Sequence, residues 1–548
     1  MSRNNRKRRG RGTKCRKKTD DSLRRRVREI GGDRFGVLVV DSSKKNAEVW
    51  LTDFYGEPLW DESRTFPITR GHLNELVNLV KGNCREYGLK DLVVGIEQTG
   101  RYHRPVKREL ERIWDVKTIH PFVTKQLRQP ASPGVKTDGA DLEAMTRAII
   151  SGYGDNQQTL PLLYAEWQLV NRAREDDVDR RRRLKQQCQE RLNAFMPGYA
   201  ALFKDLWKVP AALAIAELYG SAKRLTATDE EAVRKKLRSK GLRMMRRTIN
   251  RLLAWAADAP SPDPGGALNR RIWSNDVRLI EHIGRDILRY ERELASYLVQ
   301  TPFVLLLGIP GINVVSASGY GSEAGPITHY TKPSHLNGRA GLFPSRYQSD
   351  ETDCADGPMV GGRNARLRDA VMEIVTNLIL HNDYFQGWSA LRKQRGWPAK
   401  KIHVAVANRF NRIAFHMVAG RMVFDHPCIK KRHSVLKKVA VFSLAHGIKP
   451  ETTMGLVAKA AGQLPDDAVE GELISLEEGL ANLPSSEGVP AATLKEAMRL
   501  LPLLAVRINH GRKYTGGDDN QIMKETPYCV TVEMLAKTSM IPRGKTHN

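Results

Sequence analysis

Apolar and polar residues follow two different periods within residues 34–150, and this pattern predicts alternating strands and helices. Short apolar runs in "RFGVLVVDSS" and "LKDLVVGIEQTG" are typical of buried strands, and "NAEVWLTDFYGEPLW", "ESRTFPIT" and "DVKTIHP" predict three more. "RGHLNELVNLVKGNCREYG" and "RYHRPVKRELERIW" have the apolar spacing of helices. We therefore expect a mixed sheet with helices packed on its faces.

The order of these elements fits a ribonuclease-H-like α/β fold, and the chain then becomes helical. "AEWQLVNRAREDDVDRRRRLKQQCQERLNAFMPGY" carries spaced apolar residues in a charged background. This pattern predicts either an antiparallel helical hairpin or a coiled-coil dimer seam. A Pro/Gly-rich linker at 258–266 precedes a helix of about thirty residues.

The charge of the chain indicates a polyanionic partner. Among 548 residues the formal net charge is +28, and the first thirty residues form a strongly basic arm. Nucleic acid is the expected partner, the alternative being a solvated basic surface. No apolar run reaches the ~20 residues that span a membrane, and the six cysteines form no CxxC pair. We expect a cytoplasmic, nucleoid-associated protein that does not bind membranes.

Four acids lie where a ribonuclease-H-like sheet would bring them together. Asp41 ends the first strand, Glu97 ends the strand after the first helix, and Asp138 and Asp141 open a later helix on one face. Together they could hold two Mg²⁺ ions. Each also has an ordinary interpretation. Asp41 could cap a turn, Glu97 could pair with Arg101, and the two later aspartates could cap a helix.

A glycine-containing turn in the second half suggests contact with phosphate. "GIPGINVVSAS" resembles a helix-hairpin-helix turn, in which Gly308 and Gly311 would let backbone N–H groups meet a phosphate. The alternative is a simple turn between two packed helices. Further candidates to hold phosphates are Arg346, Arg363, Arg366 and Arg368, with surface solvation as the alternative.

At this point the sequence resembles a known family. "VLVVDSSKK", "LVVGIEQTGRYHRPV", "IHPFVTKQLR" and "KTDGADLEAMTRA" are similar, in this order, to the amino-terminal blocks of the DEDD transposases of insertion-sequence family one-ten, which also includes pilin-gene invertases. The resemblance resumes at "LLGIPGINVVSASGYGSE" and continues through "LNGRAGLFPSRYQSDET" and "GGRNARLRDAV". It implies that Asp41, Glu97, Asp138 and Asp141 are the family's four acids.

The resemblance implies a recombinase that needs Mg²⁺, with two ions per active site. In such enzymes a serine of the carboxy-terminal domain attacks the DNA phosphodiester, and the corresponding position is Ser349, with Ser345 as the rival. It further implies a structured noncoding (bridge) RNA that selects donor and target DNA, a homodimer, and a tetramer in the synaptic complex. Two alternatives stay open: a RuvC-like nuclease that uses water, and a nucleic-acid-binding relative without catalysis.

These observations predict the following domains: a disordered basic arm at 1–33, a RuvC-like acidic domain at 34–155, a helical or coiled-coil dimerisation region at 160–300, a mostly helical carboxy-terminal transposase domain with the serine at 301–428, and a helical accessory tail at 429–548.

Overall fold

The computed structural model describes residues 21–129, 134, 136–155, 160–349, 352–354, 357–361, 363–424 and 434–465. The chain divides into two compact units, one up to residue 159 and one from residue 160. Among the described residues, no helix combines the length and the apolar character needed to cross a membrane.

The first unit is built on a five-stranded sheet. Its elements, in chain order, are α1 (Asp21–Ile30), β1 (Phe35–Ser42), β2 (Asn46–Asp53), β3 (Arg64–Pro67), α2 (Arg70–Glu86), β4 (Asp91–Glu97), α3 (His103–Leu110), β5 (Asp115–Ile119), α4 (Pro121–Arg128) and α5 (Asp138–Ile150). The strand order is β3-β2-β1-β4-β5. The pairs β3-β2 and β2-β1 are antiparallel, whereas β1-β4 and β4-β5 are parallel. This arrangement confirms the predicted ribonuclease-H-like mixed sheet.

Side chains alternate between two cores on the two faces of this sheet, as the pleat requires. On one face, Leu38 and Val94 pack with α2 and α3 through Leu76 and Val106. On the other face, Val37, Val39 and Val93 pack with α1 and α5. The second face therefore brings α5 against the two central strands.

Helix α1 lies within the part of the chain predicted as a disordered basic arm. Leu23 is buried, and Arg26 binds Asp91 and Asp115 with N–O distances of 2.7 and 2.9 Å. These ion pairs with two carboxylates at the amino ends of β4 and β5 hold the arginine side chain in place. The prediction of disorder is thus wrong for residues 21–30, and residues 1–20 lie outside the described residues.

The second unit is almost entirely helical. Its helices and strands are α6 (Leu162–Phe195), α7 (Pro210–Tyr219), α8 (Ala222–Thr226), α9 (Glu230–Ser239), α10 (Arg246–Ala257), α11 (Gly266–Leu298), α12 (Val314–Ala324), α13 (Pro333–Ala340), β6 (Tyr347–Ser349), β7 (Thr352–Cys354), α14 (Ala365–His381), α15 (Asp383–Gln394), α16 (Ala399–Gly420), α17 (Ser434–Ala445) and α18 (Pro450–Ala461). The last two helices fall within the predicted tail, whose residues 466–548 lie outside the described residues.

Helices α6 and α11 form a long antiparallel pair within the chain. Arg174 binds Glu291 and Arg191 binds Asp276. The two helices therefore run in opposite directions. Trp167 of α6 is buried against Phe303, and Cys188 is buried in a second core. The segment predicted as a hairpin or a dimer seam is one continuous helix, and its antiparallel partner among the described residues is α11 of the same chain. The apolar positions of α6 that the sequence suggested for a dimer seam are largely covered by the same chain.

Candidate active site

Two carboxylates lie side by side at the carboxyl ends of the central parallel strands. Val40 of β1 pairs in register with Ile96 of β4, and Asp41 and Glu97 are the next residues on each strand. Each is an even number of positions from Val39 or Val93, which face α5. Asp41 and Glu97 therefore point to the α5 side of the sheet, and both are partly buried.

Helix α5 brings a third carboxylate to this edge. The N-cap of α5 is Thr137, whose hydroxyl accepts a hydrogen bond from the Ala140 N–H at 3.2 Å. The cap is thus supplied by a threonine, and the predicted alternative of an aspartate cap is not needed. Asp141 is 4 % exposed and lies one and two turns before Met145 and Ile149, on the helix face that packs against the sheet. Asp138, the first residue of α5, is exposed.

A glycine in β4 permits the close approach of α5. A Cβ atom at Gly95 would lie 2.7 Å from Cγ1 of Ile149 and 3.1 Å from Cδ1 of Ile119. Gly95 is on the same face as Glu97, so the missing side chain leaves room for α5 directly beside the carboxylate. No local pattern in the sequence indicates this role.

The grouping of carboxylates makes their ionisation costly. Burial, followed by repulsion from Asp141 and Asp138, raises the pKa of Asp41. Burial, followed by repulsion from Asp41 and Asp141, raises the pKa of Glu97 to about 7. Raised carboxyl pKa values at the carboxyl ends of parallel strands are typical of sites that hold a cation or transfer a proton.

An arginine that the sequence analysis did not single out already occupies part of this site. Nη1 of Arg128, at the end of α4, donates a hydrogen bond to Oδ1 of Asp141. The arginine side chain is 14 % exposed and that of the aspartate 5 %. This buried ion pair supplies an internal positive charge to the acids. No sequence motif marks it, because only the packing of α4 on α5 brings the two residues together.

The remaining alternatives for Asp41 and Glu97 are not what the structure shows. The turn between β1 and β2 is closed by Ser43, whose N–H donates to the Asn46 carbonyl at 2.8 Å and whose hydroxyl accepts from the Asn46 N–H. Within the described ranges, Glu97 forms no ion pair with Arg101. Neither carboxylate is therefore accounted for by local structure.

The donor atoms fit a divalent cation, although they are not arranged around one. Carboxylate oxygens are the ligands that Mg²⁺ prefers, and a cation would relieve the repulsion that raises the pKa values of Asp41 and Glu97. In the part of the chain that the structure describes, no group of three or more Asp, Glu, His or Cys side chains is placed so that it could hold a metal ion. Arg128 meets the need for positive charge at Asp141 instead.

The predicted nucleophile lies in a short hairpin of the second unit. Ser349 is the last residue of β6 and pairs with Thr352 of β7. Residues 350 and 351 lie outside the described residues. Ser345 precedes this hairpin; its N–H donates to the Pro358 carbonyl at 2.9 Å, and its own carbonyl accepts from the Gly357 N–H at 3.2 Å. Its side chain is exposed.

The predicted helix-hairpin-helix turn is engaged within the protein. Gly308 is buried, and a Cβ atom at Gly311, where φ is +93°, would lie 2.9 Å from the Asn377 carbonyl oxygen of α14. The amino terminus of α12 is closed by a capping box between Asn313 and Ser316. The N–H groups of Asn313 and Ser316 are thus bound by side chains. Together with the contact to α14, this matches the alternative of a connection between packed helices.

The four predicted phosphate-binding arginines fall into two pairs. Arg366 binds Glu175 and Asp176 at 2.7 Å each, and Arg368 donates to the carbonyls of Ala340 and Val360 at 2.8 and 2.7 Å. These two arginines therefore hold α14 in place. The other two, at positions 346 and 363, are exposed on either side of the serine hairpin.

A fully buried carboxylate fixes the segment that follows this hairpin. Glu323 of α12 has no exposed surface, and Arg172 of α6 donates to both of its oxygens at 2.6 and 2.9 Å. Nδ2 of Asn364 donates to the same carboxylate at 2.9 Å, and Oδ1 of Asn364 caps α14 by accepting from the Leu367 N–H. A lone acid within the apolar run "VVSASGYGSEA" was the signal that could have revealed it.

Comparisons with known proteins place both regions in one group of enzymes. Residues 39–197 match the family model of the DEDD transposases of IS110, described as a transposase. Residues 304–388 match the model described as the transposase IS116/IS110/IS902 family. The four acids lie within the first match and Ser349 within the second. No curated protein matches the sequence.

Proposed function

Because the chain belongs to the IS110 family of DEDD transposases, we propose that it cuts and rejoins DNA through a transient bond between a serine hydroxyl and a DNA phosphate. One observation carries the proposal: Asp41, Glu97 and Asp141 extend from β1, β4 and α5 to one edge of the sheet, where their charges repel one another. A protein that only bound DNA would gain nothing from this costly arrangement.

The acids are the proposed ligands of a divalent metal. Asp41, Glu97 and Asp141 would hold it, and Asp138, exposed at the start of α5, would complete the set. Bound Mg²⁺, proposed as two ions per site, would polarise the phosphodiester and favour loss of the hydroxyl proton of the nucleophile. For the metal to bind Oδ1 of Asp141, the Arg128 side chain has to leave that oxygen. A displaced guanidinium would then be available to a DNA phosphate.

Ser349 is the proposed nucleophile and Ser345 its rival. The serine oxygen would form a bond to phosphorus and lose its proton, while the bond from phosphorus to one neighbouring nucleotide oxygen breaks and that oxygen takes up a proton. In the second step a strand hydroxyl would attack the phosphoserine and return a proton to the serine. The number of phosphoester bonds is conserved, so strands are exchanged without an external energy source.

The partners follow from charge and from the family. DNA is the substrate class of a transposase, and we propose that part of the +28 net charge serves a structured noncoding RNA that selects donor and target DNA. Arg346 and Arg363 are the proposed phosphate contacts beside the hairpin. A homodimer, and a tetramer in the synaptic complex, would bring acidic sites and serines of different subunits to the two DNA partners.

The test of the proposal is whether the protein, with Mg²⁺, DNA carrying the ends of the element and any copurified RNA, forms a protein–DNA adduct that resists denaturant. Cleavage without an adduct would indicate a nuclease that uses water. Binding without either product would indicate a nucleic-acid-binding protein.

A further inference from the structure

The connection between α15 and α16 is surrounded by positive charge. Residues 384–424 contain eight Lys and Arg residues and no Asp or Glu. Four of the eight are exposed at or next to this connection: Lys393, Arg395, Lys400 and Lys401. Within the described residues, the first three form no ion pair with a carboxylate. Most of this segment lies beyond residue 388, where the second family match ends.

Next to these cations, the guanidinium group of Arg392 contacts two tryptophan rings. The Arg392 guanidinium carbon lies 3.1 Å from the ring centroid of Trp388 and 5.6 Å from that of Trp397. Nζ of Lys401 lies 5.3 Å from the Trp397 centroid. Trp397 is itself 36 % exposed, so this ring has surface open to solvent. A partly exposed aromatic ring with cations close to it is the arrangement that accepts a base and its phosphates.

Among the described residues, no carboxylate forms an ion pair with the guanidinium of Arg392. Arg392 is 6 % exposed, and its Nη1 donates to the Trp388 carbonyl at 3.3 Å. Nε has no hydrogen-bond partner among the described residues. Burial, followed by repulsion from Arg409 and Arg395, lowers the pKa of Arg392 to about 10. A buried cation that its neighbours repel is stabilised when an anion binds close by.

We propose that the surface formed by Lys393, Arg395, Trp397, Lys400 and Lys401, named the tryptophan platform, binds an unpaired segment of a nucleic-acid strand. The cations hold its phosphates and a base stacks on Trp397. The segment must be unpaired because the faces of paired bases are covered by their neighbours in the duplex. This inference does not depend on the identity of the catalytic serine.

The test is fluorescence anisotropy of the full-length protein with three labelled probes: a single-stranded DNA, the RNA of the same sequence, and the corresponding duplex DNA. Trp397→Ala is expected to weaken binding of both single strands about 5- to 100-fold and to leave duplex binding almost unchanged. Trp397→Phe, which keeps a flat ring, is the matched control and should retain most of the affinity. A preference between the DNA and RNA strands would identify the source of the bound segment.

A second variant tests the contribution of charge to binding. It changes only exposed residues, whose replacement should not disturb folding. The triple change Lys393→Ala, Arg395→Ala and Lys400→Ala should make the negative slope of log affinity against log salt less steep, by about 2 for single strands. The matched control removes the exposed cations Lys223, Lys235 and Arg238 and should change the slope for single strands much less.

Three results would overturn the inference. One is wild-type binding of single strands by both the tryptophan variant and the triple variant. Another is an equal loss of single-stranded and duplex binding in Trp397→Ala, which would leave only a phosphate-binding surface. The third is displacement of the single strand by polyglutamate of equal charge, which would indicate an acidic polypeptide as the partner.

Discussion

The guanidinium of Arg128 binds the carboxylate of Asp141, and both side chains are largely buried. This pair joins α4 to α5 at the edge of the sheet where Asp41 and Glu97 end their strands. A residue proposed as a metal ligand is thus neutralised by the protein itself. Arg128 holds Oδ1 of Asp141. A metal ion that used this oxygen would compete with the arginine, which links metal binding to a movement of Arg128.

Replacing Arg128 should therefore strengthen metal binding. For Arg128→Gln we expect about tenfold higher affinity for Mg²⁺ or Mn²⁺, because a charge-assisted hydrogen bond of ~1.5–3 kcal/mol no longer opposes the metal. Isothermal titration calorimetry measures it without reference to activity. Arg112→Gln, which removes an exposed ion pair with Glu109, is the control and should leave the affinity unchanged. Weaker metal binding by a folded Arg128→Gln would contradict the competition.

The raised pKa of Glu97 predicts how the metal-free protein responds to pH. The folded state binds the Glu97 proton with a pKa of about 7, above the ordinary 4.5. The stability that this proton contributes is present below about pH 4.5 and is lost as the pH rises through 7. When the pH rises from 5 to 8, the free energy of unfolding of Glu97→Gln should fall by about 2 kcal/mol less than that of the wild type. This figure allows for solvent around the partly buried group. Urea unfolding with a chelator measures the difference; parallel pH profiles would refute it.

Gly95 should not tolerate a methyl group. Gly95→Ala places a Cβ atom against Ile149 and forces α5 away from the sheet, at an expected cost of about 1–3 kcal/mol. Gly82, in the middle of α2, has no atom near its missing Cβ, so Gly82→Ala should stabilise the protein by about 0.5–1 kcal/mol. Urea denaturation compares the two. Equal effects would show that α5 does not approach β4 as closely as described.

Glu323 should be important for the stability of the second unit. Glu323→Ala leaves Arg172 and Asn364 without this acceptor. We expect the free energy of unfolding to fall by about 3 kcal/mol, the low end for a broken buried pair, because Arg172 is partly exposed. Glu323→Gln keeps an oxygen for one donor and should lose less. Glu217→Ala, which breaks an exposed pair with Lys240, should stay within about 0.5 kcal/mol. Thermal unfolding that ranks the three variants differently would contradict this role.

The sequence predicted the sheet and its acids because both depend on local patterns. Apolar runs define β1 and β4, and an acid after each run lies at a strand end in any parallel pairing. Asp41 and Glu97 follow from this pattern, and Asp138 and Asp141 follow from their spacing at the start of a predicted helix. The amino-terminal helix was missed because its charge suggested an arm. Its stability comes from Arg26 and two aspartates distant in sequence, a contact that no local pattern contains.

Contacts between distant residues also explain the other differences. Gly308 and Gly311 have the spacing of a phosphate-binding turn, but α14 packs on that turn and Asn313 caps the helix behind it. Arg128 precedes the acidic helix in a segment without a motif, and only packing shows that it meets Asp141. The tryptophan platform combines residues from two helices with the loop between them, and its character follows from the absence of nearby acids in the sequence.

The most direct test of serine-mediated recombination is the denaturant-resistant adduct formed with Mg²⁺ and cognate DNA by the wild type, Ser349→Ala, Ser345→Ala and Asp41→Asn. We predict an adduct with the wild type and with Ser345→Ala, and none with Ser349→Ala or Asp41→Asn, while all four bind DNA. Peptide mapping of the wild-type adduct should place the nucleotide on Ser349. An adduct of normal yield in Ser349→Ala, or cleavage by the wild type without any adduct, would contradict the account.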